Sequence, residues 1–424
     1  MLQLAVVPGG LAMTSAFSVA ALLGNHMTGS ETRGALAAVC LSIGSSLAGV
    51  PLAALMARSG RRVGLRTGYL TGSLGAALGG VSALTGNYPL LIVGMLAVGT
   101  AQASNLAARY AGADLATDAN RAASISLVLW AGTIGSVLGP TLALGVKSVF
   151  DGGDVDTGPT TGYVIPYAFS VVLFLVAAAV VSARLRPDPL HVAAADGAGR
   201  LSLPSLAEAG RIFAHPLGRV ALSAMVLAQA VMVGIMTVTP IHMQDGGQSG
   251  VVIGVMMSIH ISGMFAFSPL MGRLVDRTGG ETAILLGAVA LAVGSQIAAG
   301  TEGMHAPGHI WGLFLIGIGW SACIVAGSSL LTASFPVQRR VGVQATADVL
   351  MTTAGAAAGI VSGLTVEQRG YDVLSRWGVV FSLLLGALAA TGVTQQMLRR
   401  GRRARRVRGT ARAAPRLRGS GADA

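Results

Sequence analysis

Twelve apolar runs constrain the fold of this chain more than any other feature of its sequence. A helix needs about 20 predominantly apolar residues to cross the hydrocarbon core of a bilayer, and each run is close to that length. The runs cover residues 2–24, 33–57, 64–84, 89–108, 122–146, 162–183, 219–242, 251–271, 282–300, 310–333, 341–364 and 377–397. The sequence therefore predicts an all-α integral membrane protein with twelve transmembrane helices, numbered below as spans 1 to 12.

Composition supports a membrane protein and gives no sign of an enzyme. Only 11% of the residues are charged, against about a quarter in soluble domains. The two cysteines, Cys40 and Cys323, lie inside apolar runs and show no metal-ligand spacing. No phosphate-binding loop and no HExxH-like cluster occurs in the sequence. We therefore expect no catalytic residue, no metal and no cofactor.

The positions of the basic residues predict how the chain is oriented. If the N-terminus is cytoplasmic, 25 of the 29 lysines and arginines fall in cytoplasmic loops or in the C-terminal tail. Cytoplasmic loops of membrane proteins carry such an excess. We expect a multi-pass protein of the inner (plasma) membrane with both termini in the cytoplasm. The net charge of +12 is then a matter of topology, and we expect no nucleic-acid partner.

Two similar turns indicate an internal repeat. Residues 272–281 read GRLVDRTGGE and join spans 8 and 9, and a related turn joins spans 2 and 3. Placing Arg58 on Arg277 also places Gly60 on Gly279. Repeats of this kind are typical of secondary transporters. The repeat predicts two pseudo-symmetric six-helix bundles, residues 1–183 and 219–398, with a linker at 184–218 and a basic tail at 399–424.

With its twelve spans and this turn, the chain resembles the major facilitator superfamily (MFS) of transporters. The family's loop pattern G-x-L-x-D-R-x-G is matched in the second half by Gly272, Leu274, Asp276, Arg277 and Gly279. In the first half Ala57 replaces the aspartate, while Arg58, Gly60, Arg61 and Arg62 remain. The resemblance implies that the turns help to hold the two halves together, that spans 1, 4, 7 and 10 line a central cavity, and that the cavity opens alternately to either side.

Span 5 carries a second motif. Gly135, Gly139 and Pro140 resemble the glycine-proline motif of proton-coupled exporters in the superfamily. Two glycines on one helix face permit close approach of a neighbour, and a proline bends a helix by removing a backbone hydrogen bond. We expect the bend and the close contact to help seal one side of the cavity.

Polar residues inside the spans are the candidates for a binding site, because burying them in lipid is costly. Gln102, Asn105 and Arg109 form a stripe on one face of span 4, which the resemblance places toward substrate. For Arg109 a second interpretation stays open, in which it extends to the membrane surface. Further cavity candidates are Gln229, His242 and Trp320; the tryptophan could equally be core packing.

Three residues are candidates for proton coupling. Asp348 lies in span 11 with no basic residue one helical turn away, and burial disfavours an ionised carboxylate. His260 lies in the middle of span 8 and could change charge near neutral pH or be a neutral imidazole bonded to a neighbouring helix. Asp114 belongs to the turn after span 4, where it could pair with Arg109 or Arg121.

Together these features favour a monomeric secondary transporter that exports a small organic molecule in exchange for a proton or another coupling ion. The arginines of the tail are expected to contact anionic lipids of the inner leaflet. Two alternatives remain open. One is an uptake symporter or facilitator for a metabolite, and the other is a membrane sensor that kept the fold and lost transport.

Overall fold

The computed structural model describes residues 2–29, 31–114, 116–117, 119–150, 160–194, 205–248, 250–301 and 306–413. Helices dominate these ranges and no strand occurs in them. Spans 1 to 6 are the helices Leu2–Thr28, Glu31–Ser59, Arg61–Thr85, Tyr88–Ala113, Arg121–Phe150 and Val164–Arg184. Spans 7 to 12 are Pro216–Asp245, Gly250–Phe265 continued by Ser268–Thr278, Gly280–Ala299, Ala306–Ser334, Val337–Arg369 and Tyr371–Ala413. Two short helices, Pro189–Ala194 and Leu206–Ala214, lie in the linker.

Span 8 differs from its predicted form because it is broken into two helices. Pro269 lies in the first turn of the second helix, where a missing backbone N–H costs least. The same ring would remove a hydrogen bond from a continuous helix. The proline therefore accounts for the break, and the span extends to Thr278, beyond the predicted end at residue 271.

Span 3 is the least apolar of the twelve spans. Eleven described helices are long and apolar enough to cross a membrane, and the helix Arg61–Thr85 is not among them. Its glycines make up for this by close packing: a Cβ added at Gly75 would lie 2.5 Å from the carbonyl oxygen of Gly94 in span 4. Backbone contact of this kind stabilises helix pairs in membranes, so span 3 belongs to the bundle despite its composition.

The two halves repeat the same packing. In the first half span 1 packs on span 5, and span 3 packs on spans 4 and 6. In the second half span 7 packs on span 11, and span 9 packs on spans 10 and 12. Gly60 and Gly279, at the starts of spans 3 and 9, share one backbone conformation, with φ 88° and ψ 166° against φ 97° and ψ 156°. The pseudo-symmetry predicted from the two turns is confirmed in the backbone.

Each half is built around one apolar core, but the core of the second half also takes in Ile125 of span 5, and that of the first half takes in Val341 of span 11. The first core also takes in Leu190 of the linker, which is fully buried. Asp188, two residues earlier, accepts hydrogen bonds from the backbone N–H groups of Arg61 at 3.1 Å and Arg62 at 2.8 Å. These two groups belong to the first turn of span 3, whose N–H groups have no partner within the helix. The start of the linker is therefore fixed to the first half.

Span 12 is a single helix of 43 residues. Its apolar part ends near Gly392, and the helix continues through residues 399–413 of the basic tail. The side of the molecule that carries the linker, the tail and the turns after Ser59, Ala113 and Thr278 is called the linker face below, and the other side is called the opposite face.

Candidate functional site

The two halves meet from the middle of the spans to the linker face. Span 2 packs on span 11, and span 5 packs on both helices of span 8. Ser46 donates to Thr352 Oγ1 at 2.9 Å, and Ser268 donates to the carbonyl oxygen of Ser126 at 2.9 Å. Among the described residues, spans 1 and 7 make at most marginal contact with each other. The structure is therefore closed at the linker face.

Asp276 joins the halves on one side of this closed region. Its two carboxylate oxygens accept from the backbone N–H groups of Ala122 at 3.1 Å and Ala123 at 3.0 Å. These groups lie in the first turn of span 5, where the helix dipole favours a negative charge. Gly272 permits the approach, because a Cβ there would lie 2.2 Å from Ser126 Oγ. Arg277 is exposed.

Arg61 joins the halves on the other side, where Ala57 replaces the motif aspartate. Its guanidinium is buried and donates from Nε to Asp114 Oδ2 at 3.0 Å. It also donates from Nη2 to Gln344 Oε1 of span 11, and Gln344 Nε2 donates to Thr332 Oγ1 at 3.1 Å. The first half therefore contacts the second through Arg61 and a neutral amide. Arg58 is exposed and Arg62 is half-buried.

Arg109 and Asp348, called the gate pair below, form an ion pair between spans 4 and 11. Arg109 is fully buried and does not extend to the surface, and the Asp348 side chain is 13% exposed. The guanidinium also donates to Ser328 Oγ at 3.1 Å and to the carbonyl oxygen of Leu106 at 2.9 Å. Asp348 has no basic residue one turn away in its own helix, and the arginine that pairs with it comes from the other half.

Gln344 and Asp348 lie one turn apart and so share one face of span 11. Arg61 and Arg109 of the first half approach this face at successive levels. A small cavity beside Asp348, lined by spans 2, 4 and 11 and by Arg61 of span 3, has a volume of about 30 Å³. That volume has room for a few water molecules beside the carboxylate.

Two side-chain amides lie further toward the opposite face. Tyr69 donates to Asn105 Oδ1 at 2.7 Å, and the indole N–H of Trp320 donates to Gln229 Oε1 at 2.7 Å. Asn105 is one turn from Arg109 on the same face of span 4. Gln229 packs against Gly355 of span 11. Both amides are half-buried. Asn105 lies on the face of span 4 that carries Arg109, and Gln229 lies against the face of span 11 that carries Asp348.

Gln102 and Trp320 complete this region. Gln102 is half-buried, and its Oε1 has no partner among the described residues. Trp320 is 4% exposed, so its ring packs in the core while its N–H holds Gln229. Phe265 packs edge-on against that ring, with centroids 5.6 Å apart.

The histidine candidates lie outside the region between the halves. His260 is fully buried between spans 8 and 10, and its Nδ1 lies 2.7 Å from the carbonyl oxygen of Leu313. This is the arrangement of an imidazole bonded to a neighbouring helix. His242 stacks on Tyr371 with centroids 4.2 Å apart. It lies near the opposite-face end of span 7, whereas the gate pair lies toward the linker face.

The glycines of span 5 act within the first half. Thr14 of span 1 donates to the carbonyl oxygen of Gly135 at 2.8 Å, and a Cβ at Gly139 would lie 1.9 Å from Thr14 Oγ1. Span 5 runs as one helix through Pro140. The close contact expected from the motif is therefore between spans 1 and 5. In the second half, Gly355 and Gly359 of span 11 face span 7 in the same way, but the two helices are less tightly packed there, since the nearest atoms to an added Cβ lie at 3.0 Å and 3.6 Å.

Comparison with known proteins agrees with this architecture. A family model described as Major Facilitator Superfamily matches residues 3–359 and 221–418. The MFS-type transporter YddS of Bacillus subtilis is 36% identical over 389 residues, which cover 89% of this chain and 86% of that protein. The riboflavin transporter RfnT of Brucella anthropi is 26% identical, with 84% and 86% covered. The crystal structure of the Escherichia coli fucose:proton symporter FucP superposes with a TM-score of 0.69 at 14% identity, covering 91% of this chain and 97% of that one.

The chain therefore belongs to the Major Facilitator Superfamily. It has the family's fold of twelve membrane helices in two bundles, and its function is secondary transport across a membrane.

Proposed function

We propose that this transporter exports a small organic molecule from the cytoplasm in exchange for protons, and that the gate pair couples the two movements. The observation that carries the proposal is the buried ion pair between Arg109 and Asp348, which joins the two halves at the closed linker face. Any movement that opens this face must separate the two side chains.

Separating the gate pair is costly while both groups are charged. Breaking a buried ion pair leaves unpaired charges at a cost of about 3–5 kcal/mol. A proton on Asp348 removes one of the charges and weakens the attraction. The protonated chain therefore opens its linker face more readily than the ionised one. This dependence of conformation on protonation is what coupling requires.

Arg61 does not impose the same cost. It contacts Asp114 of its own half and Gln344 of the other half. When the halves separate, the ion pair with Asp114 remains, and the bond that breaks is to a neutral amide. Of the two arginine contacts between the halves, the gate pair is thus the one whose separation a proton assists.

The direction of transport follows from where the proton enters. Since the linker face is closed in the structure, we propose that the proton reaches Asp348 from the opposite face. If the linker face is cytoplasmic, this proton moves inward, and the empty cavity then opens to the cytoplasm to take up its cargo. The partial match of Gly135, Gly139 and Pro140 to an exporter motif and a 98-residue match to the multidrug resistance protein MdtL of Klebsiella pneumoniae support export.

A second candidate function is transport of a riboflavin-like metabolite. The relative RfnT matches over most of this chain, and the gate pair serves uptake as well as export. Radiolabelled riboflavin therefore belongs among the first compounds tested. Movement of riboflavin with the proton gradient would favour symport over export.

The orientation is tested by cysteine labelling. The linker face holds most of the basic residues, so we expect it in the cytoplasm. Single cysteines replace Ser59, the last residue of span 2 at the linker face, and Thr85, the last residue of span 3 at the opposite face; both positions are exposed. A membrane-impermeant maleimide added to intact cells should label position 85 and spare position 59. The reverse pattern would overturn both the orientation and the direction of transport.

The coupling proposal is tested with Asp348→Asn, which has the shape of the protonated side chain. A transported compound is first identified from the drug susceptibility of an efflux-deficient host with and without the chain. In proteoliposomes, Asp348→Asn should abolish transport driven by a proton gradient and retain exchange of labelled for unlabelled compound. His260→Gln, outside the inter-half region, should keep gradient-driven transport. Gradient-driven transport that survives in Asp348→Asn would exclude the gate pair as the coupling site.

A further inference from the structure

Asn105 of span 4 and Gln229 of span 7 carry the same amide group, one in each half, and both are half-buried. In each, the carbonyl oxygen is already occupied, by the indole N–H of Trp320 for Gln229 and by the hydroxyl of Tyr69 for Asn105. The hydrogen bonds that the described residues make with these two side chains are at the oxygens, and neither amide nitrogen has a partner among those residues. What each amide has left to offer is its two N–H donors.

The orientation of Gln229 is fixed by chemistry. An indole N–H donates and cannot accept, so the atom of Gln229 that lies 2.7 Å from it must be the oxygen. The nitrogen then points away from Trp320, and it lies 3.1 Å from where a Cβ on Gly355 would be. Gly355 is seven residues after Asp348, about two turns, and so lies on the same face of span 11. The amide of Gln229 therefore lies against the face of span 11 that carries Asp348, two turns further toward the opposite face.

Charge restricts the ligand further. In the part of the chain that the structure describes, the charged side chains next to this region are Arg109 and Asp348, and they neutralise each other. A charged ligand would leave water without gaining a counter-charge there, which is costly. An uncharged molecule pays no such penalty.

We propose that this region binds uncharged organic molecules through their hydrogen-bond acceptors, with Gln229 and Asn105 as donors and with Trp320 and Tyr69 as positioning residues. The inference rests on the proposed transport function and adds the chemistry of its cargo. Molecules that present donors in the same place would face the N–H groups and be rejected, because a buried donor without an acceptor is costly.

The test uses two flat bicyclic compounds of similar size, quinoline and indole. The ring nitrogen of quinoline accepts a hydrogen bond, and that of indole donates one. Binding is measured by saturation-transfer NMR with the full chain in nanodiscs, with protein-free nanodiscs subtracted. Quinoline should bind about tenfold more tightly than indole. In Gln229→Glu, whose ionised carboxylate only accepts, the preference should shift toward indole, and in Gln229→Leu it should disappear.

A matched pair of glycine variants separates the role of the amide from a general effect on the fold. In Gly355→Ala the new methyl would meet Gln229 Cγ at 3.0 Å and Nε2 at 3.1 Å, whereas around Gly363 of the same helix nothing lies within 4 Å. Gly355→Ala should weaken quinoline binding, and Gly363→Ala should leave it unchanged. Equal binding of the two probes, no binding of either, or a preference that Gln229→Glu does not alter would overturn the inference. Gradient-driven transport of an identified compound, tested separately with Asp348→Asn, would stand in each of those cases.

Discussion

Asp276→Asn should shift the chain toward conformations that are open at the linker face. The carboxylate of Asp276 belongs to span 8 and accepts from two N–H groups at the start of span 5. Both bonds join one half to the other, so they exist when the face is closed and are lost when it opens. Asparagine has one accepting oxygen and no charge. It keeps one bond, turns an N–H₂ group toward the second donor and loses the attraction to the helix dipole.

The size of the shift follows from these losses. Hydrogen bonds to a charged group contribute about 1.5–3 kcal/mol against about 1 for neutral ones, and a charge at a helix terminus adds about 0.3–1 kcal/mol. Asp276 is half-buried, so solvent weakens part of this. We expect about 1–2 kcal/mol less stability for the closed conformation, which changes the closed-to-open ratio by about 5- to 30-fold.

Distances between spin labels measure that ratio directly. Ser59 of span 2 and Ala333 of span 10 are exposed at the linker face, one in each half. Both native cysteines are buried and are replaced by alanine before labelling. Pulsed electron paramagnetic resonance in nanodiscs should show a short distance in the parent protein. A longer distance should gain population in Asp276→Asn.

Asp188→Asn is the matched control. Asp188 accepts from the first N–H groups of span 3 in the same way, but both of its partners belong to the first half. Its substitution should lower thermal stability by a similar free energy and leave the distance distribution unchanged. An equal redistribution in both variants, or none in Asp276→Asn, would refute the view that Asp276 holds the halves together.

Three further predictions concern glycines and the tail. Gly135→Ala places a methyl 2.6 Å from the backbone nitrogen of Leu11 and should destabilise the protein by about 1–3 kcal/mol. The control Gly132→Ala has open space around it and should leave the melting temperature in detergent unchanged. Equal melting temperatures of the two variants would contradict the close contact. Gly60→Ala should cost about 1–3 kcal/mol because its φ of 88° is strained for other residues, and normal thermal stability would show that the turn can rearrange. Deleting residues 402–424 should lower membrane yield before it lowers transport per molecule, and lost transport at normal yield would show that the tail takes part in turnover.

The architecture could be read from the sequence because it depends on local patterns. Hydropathy predicted the spans, and the matching of Gly60 with Gly279 predicted the repeat. The proline at position 269 was also readable as the start of a new helix, although the break in span 8 was not predicted. Span 3 shows a limit of hydropathy, since glycine packing rather than apolar character places it in the bundle.

The pairing of charged side chains could not be read in the same way. Arg61 and Asp114 are 53 residues apart, and Arg109 and Asp348 are 239 apart. No helical periodicity relates such positions, and each pair depends on how whole helices pack. One signal was available: Gln344 lies one turn before Asp348, so the two polar residues had to share a face. Read together, they would have predicted that span 11 faces something polar.

The two sides of the closed linker face are not interchangeable, although the halves are pseudo-symmetric. By the repeat, Val341 and Gly342 occupy the positions in span 11 that Ala122 and Ala123 occupy in span 5. Span 5 begins at Arg121, but span 11 begins at Val337, so its amides at 341 and 342 already bond within the helix. An aspartate introduced at Ala57 would complete the family motif and find no free N–H group to accept from. Restoring the motif in the first half would therefore not reproduce the two backbone hydrogen bonds that Asp276 makes, and the longer N-terminus of span 11 makes the alanine at position 57 compatible with closure.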